Sequence, residues 1–469
     1  MSWLYREYGQ VDLGDARRNR RVVTSAQRIS AEPSAGFTQS FENPSELEGY
    51  YRLMNNENVT ADGLLAPHHS SSWQRAADED RDSVLVVHDT SEFVYKGDVP
   101  RKRLKPKADA SSFYGHFALA VSETQQPVVH GVVAQGVYRV VNKKWVEGQS
   151  EEDEVSLSIG SQRWVDIATR ASAAAPESLD LIHVMDREGD SYKLMAHLVA
   201  LGDSFVIRAQ HNRSLETATG RLFDSIPSSA FELERDVPLS RRGRKRLPDA
   251  RKRNPVRKSR VAKVIIRATT IEVKRSSGLA ETIQPSMWLS FVEVIEKDPP
   301  EGEKAVHWRI LSTLPVDTQE QTTRVVDIYR KRWLIEEFFK ALKTGCSAEK
   351  RQGRSLFTLW NTIAMLVPIA WRILGLRVVS RSLKPAPYET VVDDIELLAL
   401  REMVPKRMLG RKPTAIDVTL AIARLGGHLK HNGPPGWLTL GRGAEKLDTA
   451  SRAWKAALKL TGQSMEFEL

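Results

Sequence analysis

The sequence predicts a mixed α/β sheet protein with a β-rich insertion and helical segments at both ends. Three observations carry this. Two apolar, β-branched runs, residues 83–89 and 181–186, each finish on an aspartate, as strands of an open sheet do. Around them the patterns run in the order three strands, helix, strand, helix, strand. From 210 to about 320 the pattern changes to strands alone, before helical periodicity resumes near Arg324 and holds to the end.

In chain order, residues 1 to about 70 read as short helices, with turn signals at Asn43-Pro44 and Asn55-Asn56. The run Ser-Val-Leu-Val-Val-His-Asp at 83–89 follows, then β-rich runs at 113–122 and 128–140. An acidic loop at 151–154 precedes a helical pattern at 164–173. The second aspartate-ending strand, a helix from about 191 to 200 and a strand at 204–208 complete the sheet. In the insertion, strands are expected at 263–274, 287–296 and 308–314. These patterns divide the chain into a helical domain at 1–70, a catalytic domain at 71–375 with the insertion at about 210–320, and a helical domain at 376–469. A length of 469 residues suits two or three domains.

Composition narrows the function. The apolar share of 41% and charged share of 27% fit a globular chain. The start carries acids and lacks an apolar signal core, so cytoplasmic localisation and no membrane partner are expected. The apolar stretch 359–376 is interrupted by Asn361, Pro368 and Arg372, which argues for a core helix rather than a membrane span. A single cysteine, Cys346, excludes an internal disulfide and a cysteine-based zinc cluster. The net charge is +10, and residues 241–263 hold 12 Lys/Arg against one acid, so the rest nets −1. Such a block attracts an anionic polymer by counterion release, and it is equally readable as a solvated loop. Smaller basic clusters stand at 17–21, with Arg17 and Arg18, and at 101–107.

Candidate chemistry centres on carboxylates. Among 59 acidic residues only placement makes a triad informative. Asp89 and Asp186 each follow a strand-like run and begin a polar turn, which would aim both into one crevice; a helix N-cap is the competing role for each. Residues 327–343 show apolar positions at Ile328, Ile335, Phe338 and Leu342, one buried stripe of a helix. Tyr329, Arg332, Glu336 and Lys343 fall at i, i+3, i+7 and i+14 on a neighbouring face. An acid for metal with three phosphate-binding companions suits a phosphodiester; ordinary surface ion pairs such as Arg332–Glu336 suit the same spacing. Oxygen-only ligands favour Mg²⁺ or Mn²⁺. The eleven histidines form no metalloprotease spacing and no P-loop is present. Strand alternation points His88 away from Asp89, into the core.

These residues resemble a known family, the bacterial insertion-sequence transposases of the DDE class, in the subgroup with a Y-x2-R-x3-E-x6-K signature. Tyr329, Arg332, Glu336 and Lys343 reproduce that signature with its spacing. Asp89-Thr90-Ser91 with Tyr95, and Asp186-Arg187-Glu188-Gly189-Asp190, resemble the family's first two motifs. Similarity extends to 13–18, to 51–59 and to 421–427. The resemblance implies an RNase H-like catalytic core that binds, through Asp89, Asp186 and Glu336, two Mg²⁺ ions for which Mn²⁺ can substitute. It implies cut-and-paste transposition through hairpin ends on transposon-end and target double-stranded DNA. It also implies a homodimer assembled on DNA, in a bacterial, nucleoid-associated setting. Trp308, 28 residues before Glu336, matches the place of a tryptophan that stacks on a flipped base, and is also readable as a strand-core side chain. Arg208 would contact the DNA backbone, and an N-terminal domain containing Arg17 and Arg18 would read the transposon end. Two alternatives stay open: a catalytically silent end-binding inhibitor, and an RNase H-like nuclease that only hydrolyses.

Overall fold

The β-branched runs form the middle of one sheet in the computed structural model, which describes residues 3–79, 81–96, 105–107, 110–141, 144–147, 157–158, 162–216, 220–227, 230–239, 256–429, 431 and 433–461. The twelve strands described are β1 (Ser83–Lys96), β2 (Lys105–Lys107), β3 (Ala110–Ser122), β4 (Val129–Val141), β5 (Lys144–Glu147), β6 (Leu157–Ser158), β7 (Asp180–Met185), β8 (Ser204–Arg208), β9 (Leu233–Leu239), β10 (Arg260–Lys274), β11 (Ser286–Glu296) and β12 (His307–Ser312). Their order is β6-β5-β4-β3-β1-β7-β8-β12-β11-β10-β9, with β2 added on β3. β1 and β7 run parallel, as do β7 and β8. β1, β3 and β4 form an antiparallel meander.

Residue alternation sorts the side chains of the central strands onto two faces. Leu85, Val87, Ile182 and Val184 join one hydrophobic cluster, whereas Val84, Val86 and Leu181 join another with Ile167 and Ala171. The second cluster belongs to the face covered by α6 (Gln162–Ala174); α7 (Tyr192–Leu201) makes the crossover that parallel neighbours β7 and β8 require. His88 follows Val84 and Val86 onto that face and is fully buried against His183, as strand alternation predicts.

The insertion is not a separate sheet. β12 pairs antiparallel with β8, from Ile310↔Arg208 to Ser312↔Val206, so β9–β12 extend the central sheet. β9 was not anticipated: its burial alternates, but Glu234, Arg235, Asp236 and Pro238 mask the strand pattern. Residues 241–255 of the basic tract, 101–104 of the second basic cluster and the acidic loop 151–154 lie outside the described residues.

The N-terminal helices are α1 (Trp3–Tyr8), α2 (Ala16–Ala31), α3 (Phe37–Ser40), α4 (Pro44–Met54) and α5 (Ala61–Ala77). Local chemistry sets their starts: Asp15, Asn43 and Thr60 each cap a helix by accepting an N–H two or three residues on. After the sheet come α8 (Gln319–Lys331), α9 (Trp333–Lys340), α10 (Leu356–Val379), α11 (Asp394–Met403), α12 (Ala415–Leu425) and α13 (Trp437–Thr461). α10 is long and apolar enough to cross a membrane by composition, yet here most of it is core. Polar contacts reach it from both terminal segments of the chain. The Asn361 amide donates to the carbonyls of Met54 and Val59, Tyr8 donates to the Met365 carbonyl, and Arg372 donates to Asp448.

α1 is pinned by a buried carboxylate. Glu7, 1% exposed, accepts from Arg75 at 2.7 Å and meets His68 at 2.5 Å. Burial raises the Glu7 pKa, but His68 and Arg75 outweigh it and hold the carboxyl below its ordinary value. Burial holds His68 below its own ordinary value too. Both folded pKa values lie under the unfolded ones. Their contribution is therefore full above about pH 6.5 and is lost as pH falls through the histidine and then the carboxylate range. Thermal melts between pH 7 and 4 should show the melting temperature falling, with a shallower slope through the histidine range in His68→Gln, which removes that titration; equal slopes would exclude this linkage.

Candidate active site

Asp89 stands where β1 loses its parallel neighbour. β7 pairs with β1 from Ser83↔Asp180 to Val87↔Val184 and then stops at Met185. β1 itself does not end on the acid, as its polar turn-like residues suggest. It continues to Lys96 because Phe93 and Tyr95 are buried and the ladder to β3 persists, with Asp89 opposite Phe117. Asp89 and Asp186 each lie two residues beyond the Val87–Val184 pair, on the face shared by Leu85, Val87, Ile182 and Val184. Asp89 Oδ1 accepts the N–H of Thr90 at 2.8 Å, and Asp186 Oδ1 accepts that of Glu188 at 2.8 Å. Asp186 thus does cap a short turn, 187–189, whereas no helix follows Asp89.

Glu336 is brought to Asp89 through Arg332. The Arg332 guanidinium donates to Glu336 Oε1 at 2.5 Å and to Asp89 Oδ2 at 3.4 Å, with its side chain only 16% exposed. Burial, then the Asp186 carboxylate, push the Asp89 carboxyl up to about 7, and Glu336 adds to this. Arg332 and the Thr90 N–H pull the other way. Asp89 therefore feels two other acids from a poorly solvated position, and one arginine is insufficient to offset that repulsion.

The signature residues do not ride on one uninterrupted helix. The chain turns at Arg332 between α8 and α9, and residues Ala341–Gly345 form a π turn. Such widened turns are frequent at functional sites. Beyond this turn Lys343 points past the acids: its ammonium donates to the Glu92 carbonyl, pairs with Glu349 at 3.3 Å and lies 4.8 Å from the Phe93 ring centre. Tyr329 is 5% exposed and packs edge-on against Trp308, with ring centres 5.7 Å apart. Trp308 is half-buried on β12, so its ring is neither enclosed by the core nor free of it.

Arg208, the last residue of β8, donates to the His307 carbonyl at 2.9 Å, while its buried Nε has no partner among the described residues. Arg187 is its electrostatic neighbour: burial and then Arg208 lower the Arg187 pKa, against Tyr329 and Asp186. Arg17 and Arg18 are elsewhere, on α2. Arg17 is exposed and pairs with Asp15, Arg18 donates to the Leu13 carbonyl, and both line a cleft of about 530 Å³ with Arg21 and Arg52.

Sequence reasoning missed a buried arginine and a second acid. Arg163 on α6 is 4% exposed and binds both Thr90 and Glu188. Asp190 is fully buried and paired with Arg213. The only sequence signal was the density of charge in Asp186-Arg187-Glu188-Gly189-Asp190; a lone arginine in an amphipathic helix gives none.

The donor set is all oxygen, and its surplus negative charge would be relieved by a hard divalent cation, so the residues fit Mg²⁺ or Mn²⁺. As they stand, no three His, Cys, Asp or Glu side chains among the described residues converge closely enough to hold an ion. The Arg332 guanidinium lies between Asp89 and Glu336 instead.

Two family models match the chain. One, described as transposase DNA-binding, covers residues 1–59, and another, described as the transposase DDE domain, covers residues 170–370. Arg17 and Arg18 fall in the first span. Asp186, Arg208, Trp308, Tyr329, Arg332, Glu336 and Lys343 fall in the second, while Asp89 precedes it. Together the matches support a DDE transposase family. A DDE domain implies an RNase H-like core, with which the β4-β3-β1-β7-β8 arrangement agrees, and a DNA-cleaving, strand-transferring enzyme that generally uses divalent metal ions.

Proposed function

We propose that this DNA transposase works by cut-and-paste, with Asp89, Asp186 and Glu336 as its metal-binding acids and a DNA hairpin as intermediate. The observation that carries the reading is the shared level of Asp89 and Asp186 on adjacent strands, with Glu336 tied to Asp89 by Arg332. When bound, two Mg²⁺ or Mn²⁺ ions would activate an attacking oxygen and stabilise a leaving one. The chain's own residues bind and orient the DNA. Arg332 is already close to the reacting region and can exchange a carboxylate for a phosphate oxygen without leaving it. Trp308, half-buried on Tyr329, offers a flat surface on which a base displaced from a hairpin tip can stack. Arg208 and Arg187 supply positive charge beside Asp186. Residues 1–70, with the arginine-lined cleft on α2, read the transposon end, and two copies assemble on DNA through the C-terminal helices.

The test is an assay of purified protein with Mg²⁺ or Mn²⁺ and a duplex carrying the inverted repeat that flanks its coding sequence. Hairpin ends and strand-transfer products are expected. Nicks alone would favour a hydrolytic nuclease, and a gel shift without cleavage an end-binding inhibitor.

Arg332→Lys should not be conservative, because an ammonium cannot reproduce the forked bridge between two acceptors. A lost charged hydrogen bond contributes about 1.5–3 kcal/mol, so single-turnover nicking should slow about 10- to 100-fold. A rate within about twofold of the parent would remove Arg332 from the reacting region.

A further inference from the structure

Each metal-binding aspartate is fixed by the residue group that follows it, and a single side chain joins the two groups. Asp89 accepts the Thr90 N–H, and the Thr90 hydroxyl accepts from Arg163 Nε at 3.2 Å. Asp186 accepts the Glu188 N–H, and the Glu188 carboxylate accepts from Arg163 Nη2. Thr90 is held from the far side by His116 of β3, at 2.8 Å. Arg163 projects from α6, whose Trp164, Ile167, Ala168 and Ala171 are all fully buried, so its base is rigid. A side chain that carries a full charge and is 4% exposed costs stability unless its partners are well placed. Arg163 is nonetheless kept where β1 and β7 part, the one place where no backbone ladder fixes the spacing of Asp89 and Asp186.

We infer that Arg163 is a positioning residue, a clasp between Thr90 and Glu188 that sets the separation of the Asp89 and Asp186 carboxylates for metal. The inference rests on the transposase reading above and assigns a task to residues outside the signature. Arg163 is also an electrostatic neighbour of the Asp186 carboxylate. It acts through the two turns, as outer partners of metal ligands do, whose loss typically weakens metal affinity 10- to 100-fold.

The experiment measures Mn²⁺ binding by electron paramagnetic resonance, using the full chain mixed with the flanking inverted-repeat duplex. Arg163→Gln and Glu188→Gln should each weaken Mn²⁺ binding about 10- to 100-fold. Glu188→Gln leaves an oxygen acceptor in reach of the buried Arg163 guanidinium, from a side chain that is 60% exposed, and a melting curve of each variant shows which of them stay folded for the comparison. The Mg²⁺ concentration for half-maximal nicking should rise in step, while end binding without metal stays unchanged. The double variant should be no worse than either single one, because both break one clasp. Mn²⁺ affinity unchanged in Glu188→Gln, or additive losses in the double variant, would overturn the clasp alone. A parent chain that takes up no Mn²⁺ would overturn the transposase reading and the clasp with it.

Discussion

Glu336→Ala is expected to lower end cleavage on the order of 10³-fold or more while leaving end binding nearly unchanged. The size of the loss follows from the placement of the carboxylate. Among the described residues, Glu336 is the acid delivered to the Asp89 region from a helix, and Arg332 is its hydrogen-bond partner there. Its removal leaves two strand acids, with Arg332 free to settle wholly on Asp89. The loss should appear in the single-turnover nicking rate at any metal concentration, unlike a clasp variant, whose defect saturating metal relieves. Stability should not fall, because Glu336 adds to the repulsion that pushes Asp89 up to about 7. A gel shift without metal and a melting curve serve as controls. Joint loss of binding and cleavage would place Glu336 in the DNA-binding surface instead.

How much of this was legible in the sequence depends on the range of the interaction. The strands carrying Asp89 and Asp186 were legible because burial on both faces writes a continuous apolar run, and alternation correctly sent His88 to the far side. The pairing of Glu336 with Asp89 was legible only through the family resemblance, since it joins residues 247 apart through Arg332 and no local pattern encodes it. Periodicity placed Lys343 on the same face as Glu336, but it assumes a constant 3.6-residue turn. The π turn at Ala341–Gly345 breaks that assumption, and Lys343 is held by Glu92 and Glu349. Arg163 was invisible for a related reason. Its value lies in two partners on separate turns, and its buried position looks like any charged residue of an amphipathic helix.

The motif Asp186-Arg187-Glu188-Gly189-Asp190 offers two aspartates four residues apart, and the structure surrounds them differently. Asp190→Ala is expected to destabilise the fold by about 3–5 kcal/mol, the usual result of stranding a buried charge. Asp190 is 0% exposed and its partner Arg213 only 7%. The carboxylate accepts from Arg213 at 2.5 Å and from the backbone N–H groups of Gln210 and His211 at 2.6 and 2.8 Å. Removing it leaves a guanidinium and two N–H groups short of an acceptor, in the loop that leads from β8 into the insertion. Asp186 instead gives up one capping hydrogen bond, worth about 1 kcal/mol, so Asp186→Ala should melt near the parent and fail to cleave. The pair of variants separates stability from chemistry within five residues of chain. Replacing Arg213 as well should recover part of the Asp190→Ala loss, since no buried charge then remains unpaired. An Asp190→Ala chain as stable as the parent would show that solvent reaches Arg213, and that the loop after β8 is not anchored by this pair.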